Sequence, residues 1–252
     1  MEIANIEPPS ERDYIQMHFL APVHPFRMLL CGPSGSGKTN VMINLIMKYL
    51  YYDRVYIYAK NYEDDPKWMF LKRFFERVAN DMLLKTQKRF DKMKGKGLVD
   101  GCLNATADDF MIAEFHSNID DVIPVDQLDP EKQNLVVFDD FINDKVAQPV
   151  IVDYFTRGRH SNCSVCYLSQ SYFSTPKNVR LNCNYFALFK VSSRKEMQMI
   201  RNDHCADVDP EDFMKMFQSV GDHQFLLIDK KTDNDCLKYR ICFDNVRRPT
   251  ND

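Results

Sequence analysis

The segment that most constrains this chain is Gly32-Pro33-Ser34-Gly35-Ser36-Gly37-Lys38-Thr39. It matches the pattern G-x-x-x-x-G-K-[ST], in which backbone N–H groups surround a phosphate at the N-terminus of a helix. The run Arg27–Cys31 precedes it and predicts a short buried strand, while the apolar spacing over 40–50 predicts a helix. This strand-and-helix context favours a phosphate-binding loop over a glycine-rich turn that binds nothing.

The residues of this loop have separate expected roles. Lys38 is expected to reach the β- and γ-phosphates of a bound nucleotide, and the Thr39 hydroxyl to bind a magnesium ion. The glycines allow successive N–H groups to curl around the anion, helped by the positive end of the helix dipole. The sequence therefore predicts a site for ATP and Mg²⁺ over residues 32–40. This range includes the motif and Asn40, the residue that follows it.

A second segment, 135–140, has four apolar residues followed by Asp139 and Asp140. In open α/β sheets, ligands bind at the carboxyl ends of the strands. Asp139 is expected to hold the magnesium, directly or through water, and Asp140 to orient and deprotonate the attacking water. Taken alone, the segment equally fits a strand followed by a turn. Its pairing with the phosphate loop favours the nucleotide site.

Two further segments carry polar candidates. A buried strand is predicted over 164–169, and Ser169 or Gln170 at its tip could hydrogen-bond the γ-phosphate or the attacking water. Arg157 and Arg159 follow a helical pattern. Either guanidinium could act on the phosphoryl group of a neighbouring subunit, with Arg159 preferred, or both could satisfy the last carbonyls of the helix. Both interpretations stay open.

The overall pattern predicts one α/β protein. The chain has 252 residues, 44% of them hydrophobic, which suits a single domain with a full core. Strands and helices alternate, so a central, mainly parallel sheet flanked by helices is expected, with a C-terminal β-hairpin. We expect an N-terminal arm over 1–22 and an ATPase domain over 23–252. Besides those above, the predicted strands are 54–58, 134–138, 184–191, 223–229 and 236–243, and the predicted helices are 66–79, 148–154, 193–202 and Pro210–Gln218.

Composition excludes several classes. The net charge of −3 gives no global basic signature for nucleic acid. No apolar run approaches the length of a membrane span, and the N-terminus does not resemble a signal peptide. Cys163 and Cys166 have zinc-like spacing, but no second pair stands at the spacing of a metal finger. Buried thiols in a reducing compartment are the favoured interpretation of the eight cysteines.

Local basic segments remain candidates for contacts to DNA. The segment 67–96 is rich in Lys and Arg, and the segment 171–180 contains Lys177 and Arg180. Such segments fit either a phosphate-contacting surface or an ordinary solvated face. The aromatic residues His24, Phe26 and Tyr58 could stack on adenine, although a core position is favoured for each.

Four segments of the chain are similar to those of one protein family. They are His24-Pro25-Phe26-Arg27-Met28 before the phosphate loop, the double-Asp segment 135–140, Thr156-Arg157-Gly158-Arg159-His160, and Tyr167-Leu168-Ser169-Gln170-Ser171. Together they resemble the poxvirus-type viral DNA-packaging ATPases of the FtsK–HerA superfamily, over roughly residues 20–200. The phosphate loop and acidic strand are generic, whereas the Arg-Gly-Arg-His and Ser-Gln segments are more particular.

The resemblance implies an additional-strand P-loop NTPase, in which the strand ending at Gln170 lies between the loop strand and the Asp139 strand. It implies a Mg-dependent ATPase that acts as a pentameric or hexameric ring and threads double-stranded DNA, without sequence specificity, into a capsid. Viral capsid proteins are implied partners, and the host cytoplasm or viral factory the implied location. Asp140 would be the base and Gln170 the sensor.

Two other classes remain open on the sequence alone. A nucleoside or small-molecule kinase shares the phosphate loop, but usually adds an arginine-bearing lid and does not need the double Asp. A nucleotide-dependent assembly scaffold would bind ATP and hydrolyse little. DNA-stimulated hydrolysis separates the packaging ATPase from both.

Overall fold

A nine-stranded, mainly parallel sheet organises the described part of the chain. The computed structural model describes residues 17–100, 102–191, 193–243 and 245–246, so 1–16 of the expected N-terminal arm lie outside the described residues. In chain order the strands are β1 (Arg27–Cys31), β2 (Arg54–Ala59), β3 (Ala113–His116), β4 (Asn134–Asp139), β5 (Cys163–Ser169), β6 (Tyr185–Phe189), β7 (Phe225–Asp229), β8 (Tyr239–Ile241) and β9 (Asn245–Val246).

The order across the sheet is β3-β2-β4-β5-β1-β6-β7-β8-β9. Strands β1 to β6 run parallel to one another, and β7, β8 and β9 pair antiparallel. Strand β5 lies between β4 and β1, which confirms the additional-strand arrangement that the resemblance implied. The carboxyl ends of β4, β5 and β1 therefore meet at one edge of the sheet.

Helices cover both faces of the sheet. They are α1 (Lys38–Lys48), α2 (Pro66–Lys94), α3 (Ala147–Arg157), α4 (Lys177–Asn182), α5 (Arg194–His204) and α6 (Pro210–Gln218). Apolar residues of α1 and α2 form one core with one face of the sheet. The other four helices contribute to a second core on the opposite face. This three-layer arrangement buries the central strands on both sides, which explains their nearly continuous apolar sequences.

The predicted helix over 66–79 is too short, because α2 continues to Lys94. Its buried residues are Trp68, Leu71, Phe75 and Ala79. After Ala79 no residue of the helix is buried, and exposed charged residues alternate with half-buried ones such as Leu83 and Phe90. Residues such as Leu, Lys, Gln and Arg nevertheless keep a high helix propensity, so the helix continues without a buried face. The short elements β3 and α4 were not predicted.

The C-terminal hairpin is confirmed by the antiparallel pairing of β7 with β8. Arg240 on β8 is only 2% exposed, and its guanidinium donates to Asp229 Oδ2 on β7 at 2.8 Å. Burial raises the pKa of Asp229, and Arg240 opposes that rise. The charged pair thus links the two strands of the hairpin.

Cys163 and Cys166 do not form a metal pair. Side chains alternate between the two faces of a strand, so residues three apart on β5 point to opposite faces. Cys163 accordingly lies in the core beneath α3, and Cys166 in the core beneath α1. Both thiols are free and buried, and burial raises their pKa.

His204, at the end of α5, is expected to make stability depend on pH. It is 7% exposed, its ring lies against Phe186, and its Nε2 is 2.6 Å from the Tyr172 hydroxyl. The pKa of His204 is lowered from 6.5 to about 4: burial lowers it most, Lys230 and Arg180 also lower it, and Asp203 opposes them. The unfolded chain therefore binds a proton between these pH values that the folded chain does not.

The free energy of unfolding is thus expected to fall as pH drops from about 6.5 to about 4. Each pKa unit corresponds to about 1.4 kcal/mol, so the His204 contribution approaches ~3 kcal/mol at the acid end. Urea unfolding at a series of pH values measures it, with His204→Gln as the comparison because other groups also titrate. Parallel curves for the two proteins would contradict the assignment.

Candidate nucleotide-binding site

The phosphate loop adopts a backbone that its glycines permit. Gly35 and Gly37 have φ of 77° and 107°, in the left-handed region that favours glycine. A Cβ on Gly32 would lie 2.5 Å from the Cβ of Phe189, so no larger residue fits there. The Gly32 N–H donates to the Ser169 carbonyl at 3.1 Å, which fixes the loop to the end of β5.

Lys38 lies in the first turn of α1 and points back over the loop. Its Nζ donates to the carbonyls of Gly32 and Pro33 at 2.7 and 2.9 Å. An ammonium has three N–H donors, so these bonds leave one for a phosphate. Burial lowers the pKa of Lys38, whereas the nearby Asp139 and Asp140 raise it.

A cavity of about 210 Å³ brings most of the predicted site residues together. It lies where the carboxyl ends of β1, β4 and β5 meet. Its walls come from three loops and the start of α2. The lining residues are Ser34, Gly35, Gly37, Lys38, Thr39, Asp65, Lys67, Asp139, Asp140, Ile142, Leu168 and Gln170. Asn40 is the exposed residue that follows Thr39 in α1, and it does not line this cavity.

Asp139 is held by a contact that the sequence did not predict. The indole N–H of Trp68, on α2, donates to Asp139 Oδ2 at 2.9 Å. The pKa of Asp139 is raised to about 6, mainly by burial, and the bond from Trp68 and the charge of Lys38 limit that rise. Trp68 belongs to the apolar stripe of α2, and this explains why sequence analysis assigned it to the core alone.

Asp140 and Gln170 contact each other across the cavity. Gln170 Nε2 donates to Asp140 Oδ1 at 3.1 Å, and both residues are exposed. Asp140 has φ of 63°, a conformation that Asp and Asn tolerate better than most residues. The turn directs the chain out of β4 just after Asp139, so adjacent carboxylates occupy different positions in the site.

Arg157 and Arg159 lie away from this cavity. Arg157 forms a bidentate pair with Asp153 one turn earlier in α3, and both side chains are solvent-accessible. Arg159 lowers the pKa of Arg27, after the larger effect of burial, so it lies near the start of β1. The cavity lies beyond the other end of β1, about 16 Å away at 3.3 Å per residue. Neither arginine lines the cavity of its own chain.

A second cavity, of about 450 Å³, adjoins the outer side of the loop. Pro33 and Ser36 line it together with the carboxyl end of β6 and the turn before β7. His223 in that turn has φ of 58°, and its Nδ1 is 3.4 Å from the Ser36 carbonyl. The Ser36 hydroxyl is buried and has no hydrogen-bond partner among the described residues.

The aromatic residues considered for adenine lie elsewhere. His24 bonds to Asn162 and Ser164 at the opposite end of β5, at 2.9 and 2.7 Å. Phe26 and Tyr58 are buried, and Tyr58 stacks on Phe138. The sequence missed His223 because the turn that carries it is distant in the chain and meets the loop only through the sheet order.

The donor set around Asp139 fits a magnesium ion that binds together with nucleotide. Thr39 and Asp139 offer a hydroxyl and a carboxylate at the same cavity. Within the described ranges, no group of three or more His, Cys, Asp or Glu side chains could hold a metal. Magnesium commonly uses one or two carboxylates plus substrate phosphates and water, so two oxygen ligands are compatible with it.

The described helices include none that is long and apolar enough to cross a bilayer.

The fold and site define an additional-strand P-loop NTPase. The phosphate loop lies between β1 and α1, an acidic residue ends β4, and strand β5 lies between β1 and β4. A family model described as "Poxvirus A32 protein" matches residues 102–250, which is more than half of the chain. The chain belongs to this family. The matched region contains Asp139, Asp140 and Gln170 but begins after the phosphate loop. The loop is therefore evidence for a nucleotide site that does not depend on this match.

Individual poxvirus proteins are also similar to this chain. The chain is 24% identical over 242 residues to the DNA packaging protein OPG160 of Variola virus, covering 94% of this chain and 80% of that protein. It is also 24% identical over 180 residues to OPG160 of Vaccinia virus (strain Copenhagen), covering 71% and 58%. The resemblance predicted from the sequence is therefore confirmed.

Solved structures show the same fold. The DNA-packaging ATPase B204 from Sulfolobus turreted icosahedral virus superposes with a TM-score of 0.53 at 11% identity, covering 87% of this chain and 97% of that one. B204 from Sulfolobus turreted icosahedral virus 2 in complex with AMP gives 0.52 at 13% identity, covering 86% and 96%. A further B204 structure contains ATP-gammaS.

Proposed function

We propose that this chain is an ATP-hydrolysing motor that translocates double-stranded DNA into a viral capsid. The observation that carries the proposal is the single cavity lined by Lys38, Thr39, Asp139, Asp140 and Gln170, in a member of the A32 family. The relatives named as DNA packaging proteins, and the B204 complexes with AMP and ATP-gammaS, support the DNA and nucleotide parts of the proposal. The domain over 23–252 would carry this activity, at the site of virion assembly.

The chemistry follows from where each side chain lies. Backbone N–H groups of the loop bind the phosphates, and Lys38 neutralises charge on the β- and γ-phosphates. Thr39 and Asp139 would hold magnesium, which when bound neutralises charge on the β- and γ-oxygens. Asp140 orients the attacking water and accepts its proton, and Gln170 holds the Asp140 carboxylate in place.

The second cavity is the proposed position of the nucleotide base. It shares Ser34 and Gly35 with the phosphate cavity, so one ligand can occupy both. Phe189 and Val191 supply apolar walls, while His223 and Gln224 supply polar groups. Lys190 and Asp222 add charged groups to the lining, so the cavity offers a base both apolar contacts and hydrogen-bond partners.

Assembly into a ring of five or six subunits is the proposed active state. Arg157 and Arg159 lie at the opposite edge of the sheet from the cavity, so either could reach a nucleotide only on a neighbouring subunit. Arg159 is the preferred candidate because Arg157 already pairs with Asp153. Capsid proteins are the proposed external partners.

Translocation can be tested with a triplex-displacement assay. A motor that moves along duplex DNA removes a third strand from its path, and it needs ATP hydrolysis to do so. We expect release of the third strand with ATP and Mg²⁺, and none with ATP-gammaS. Transfer of phosphate to an acceptor other than water would instead select the kinase alternative. Nucleotide binding without turnover or displacement would select the scaffold.

Trp68→Phe is expected to raise the Mg²⁺ concentration needed for half-maximal ATP hydrolysis by about tenfold. The change removes the N–H that orients Asp139 and keeps an aromatic ring in the core. A magnesium titration measures it, and thermal stabilisation by Mg²⁺ with ATP-gammaS gives a readout that is independent of turnover. Phe70→Leu, an exposed site on the same helix, is the control. An unchanged magnesium midpoint in Trp68→Phe would contradict the role.

A further inference from the structure

The second half of α2 extends beyond the protein core. The helix has 29 residues, which corresponds to a length of about 43 Å at 1.5 Å per residue. All four of its buried residues lie between Trp68 and Ala79. From residue 80 to residue 94, none of its residues is buried. This projecting half therefore presents most of its circumference to solvent.

Four cations form a stripe along the projecting half. Lys85, Lys88, Arg89 and Lys92 have spacings of three, four and seven, so they lie on one face of the helix. All four are exposed. Among the described residues, none of the four has a carboxylate partner within ion-pair distance. We call these four residues the basic stripe.

The charge of α2 contrasts with the charge of the whole chain. The helix carries nine Lys and Arg residues against three Asp and Glu residues, although the chain has a net charge of −3. The rest of the molecule is therefore acidic and repels a polyanion. Attraction of a polyanion must come from a local surface, and α2 is the element that supplies one.

The other basic candidate, 171–180, is engaged within the fold. The Arg180 guanidinium pairs with Asp203 at 2.7 Å and lies over the ring of Tyr172 at 4.8 Å. Its side chain is 11% exposed. Arg180 is therefore a structural residue, and Lys177 is left as the only exposed cation of this segment.

We propose that the basic stripe binds the phosphates of duplex DNA without sequence specificity. This inference rests on the proposed function and assigns its DNA contact. Exposed, unpaired Lys and Arg side chains at regular spacing suit a row of phosphates, and such contacts carry no base information. The same helix begins at the nucleotide cavity, where Lys67 lines the wall and Trp68 bonds to Asp139. One rigid element therefore joins the DNA contact to the nucleotide site.

The test is fluorescence anisotropy of labelled 30-base-pair duplexes of two unrelated sequences, with ATP-gammaS and Mg²⁺, over a salt series. The test variant carries Lys85→Gln, Lys88→Gln, Arg89→Gln and Lys92→Gln, because Gln removes the charge and preserves helix propensity. The matched control carries Lys132→Gln, Lys145→Gln, Lys195→Gln and Lys230→Gln, four exposed lysines elsewhere. Circular dichroism verifies that each protein is folded.

The stripe variant is expected to bind both duplexes at least tenfold more weakly than the wild type. The slope of log affinity against log salt is expected to fall in magnitude by about 3.6, since each of four neutralised phosphates contributes about 0.9. The control variant is expected to keep most of the wild-type affinity. If the fourfold variant does not fold, the pairs Lys85→Gln with Arg89→Gln and Lys88→Gln with Lys92→Gln carry the test, each with about half the change in slope.

Equal losses in the stripe and control variants, or none in either, would overturn the assignment. A stripe variant that changes oligomeric state by light scattering while keeping its DNA affinity would also overturn it and identify an interface between proteins. ATP turnover without DNA is measured in parallel. Turnover in the wild type together with unaltered DNA binding in the stripe variant would refute this inference alone, whereas no turnover in the wild type would refute the proposed function.

Discussion

Asp140→Asn is expected to lower ATP turnover by about 10²- to 10⁴-fold while nucleotide binding is retained. Asparagine cannot accept the proton of the attacking water. It does tolerate the positive φ of this position, and its amide oxygen can still accept the hydrogen bond from Gln170. The substitution therefore removes the base and preserves the turn that carries it.

The measurement is steady-state phosphate release together with the affinity for ATP-gammaS. Asp120→Asn, an exposed carboxylate outside the cavity, is the matched control and is expected to turn over like the wild type. Turnover of Asp140→Asn within a few-fold of the wild type would show that another group orients the water. Loss of ATP-gammaS binding would indicate that Asp140 acts through binding and not as the base.

Lys38→Ala is expected to abolish turnover and to weaken ATP binding by about 100-fold or more. The one N–H of Lys38 that is left for a phosphate loses its charge-assisted bond, worth about 1.5–3 kcal/mol, and the phosphates lose a neutralising cation. Lys38 also donates to the carbonyls of Gly32 and Pro33, so the loop itself loses two bonds. Calorimetric titration with ATP and with AMP separates these effects, because AMP has no β- or γ-phosphate.

A smaller loss of affinity for ATP than for AMP in Lys38→Ala would contradict this role for Lys38. Comparable losses for both ligands would mean that the substitution disturbs the loop as a whole. Lys48→Ala, at the last turn of the same helix, is the control and is expected to bind both nucleotides normally.

The sequence predicted those parts of the site that are local in the chain. The phosphate loop, Asp139 and the tip of β5 each follow a buried strand. A parallel sheet brings such strand ends together, so their convergence could be predicted as well. The contact between Gln170 and Asp140 could not, because it depends on the positive φ of Asp140, which directs its side chain toward the tip of β5.

Other parts of the site depend on packing between distant segments. Trp68 reaches Asp139 only because α2 begins beside the end of β4, and an apolar stripe gives no sign of this polar contact. His223 meets the loop because β7 lies beside β6. The placement of Arg157 and Arg159 at the far edge follows from the direction of α3, which runs from the carboxyl end of β4 back to the start of β5.

ATP turnover by the purified chain, with and without duplex DNA and over a series of protein concentrations, tests the central claim most directly. Lys38→Ala is measured in parallel to exclude a contaminating ATPase. We expect duplex DNA to stimulate turnover, the specific rate to rise steeply with protein concentration as subunits assemble, and both effects to vanish in Lys38→Ala. Turnover that responds neither to DNA nor to concentration would contradict a ring-shaped packaging motor.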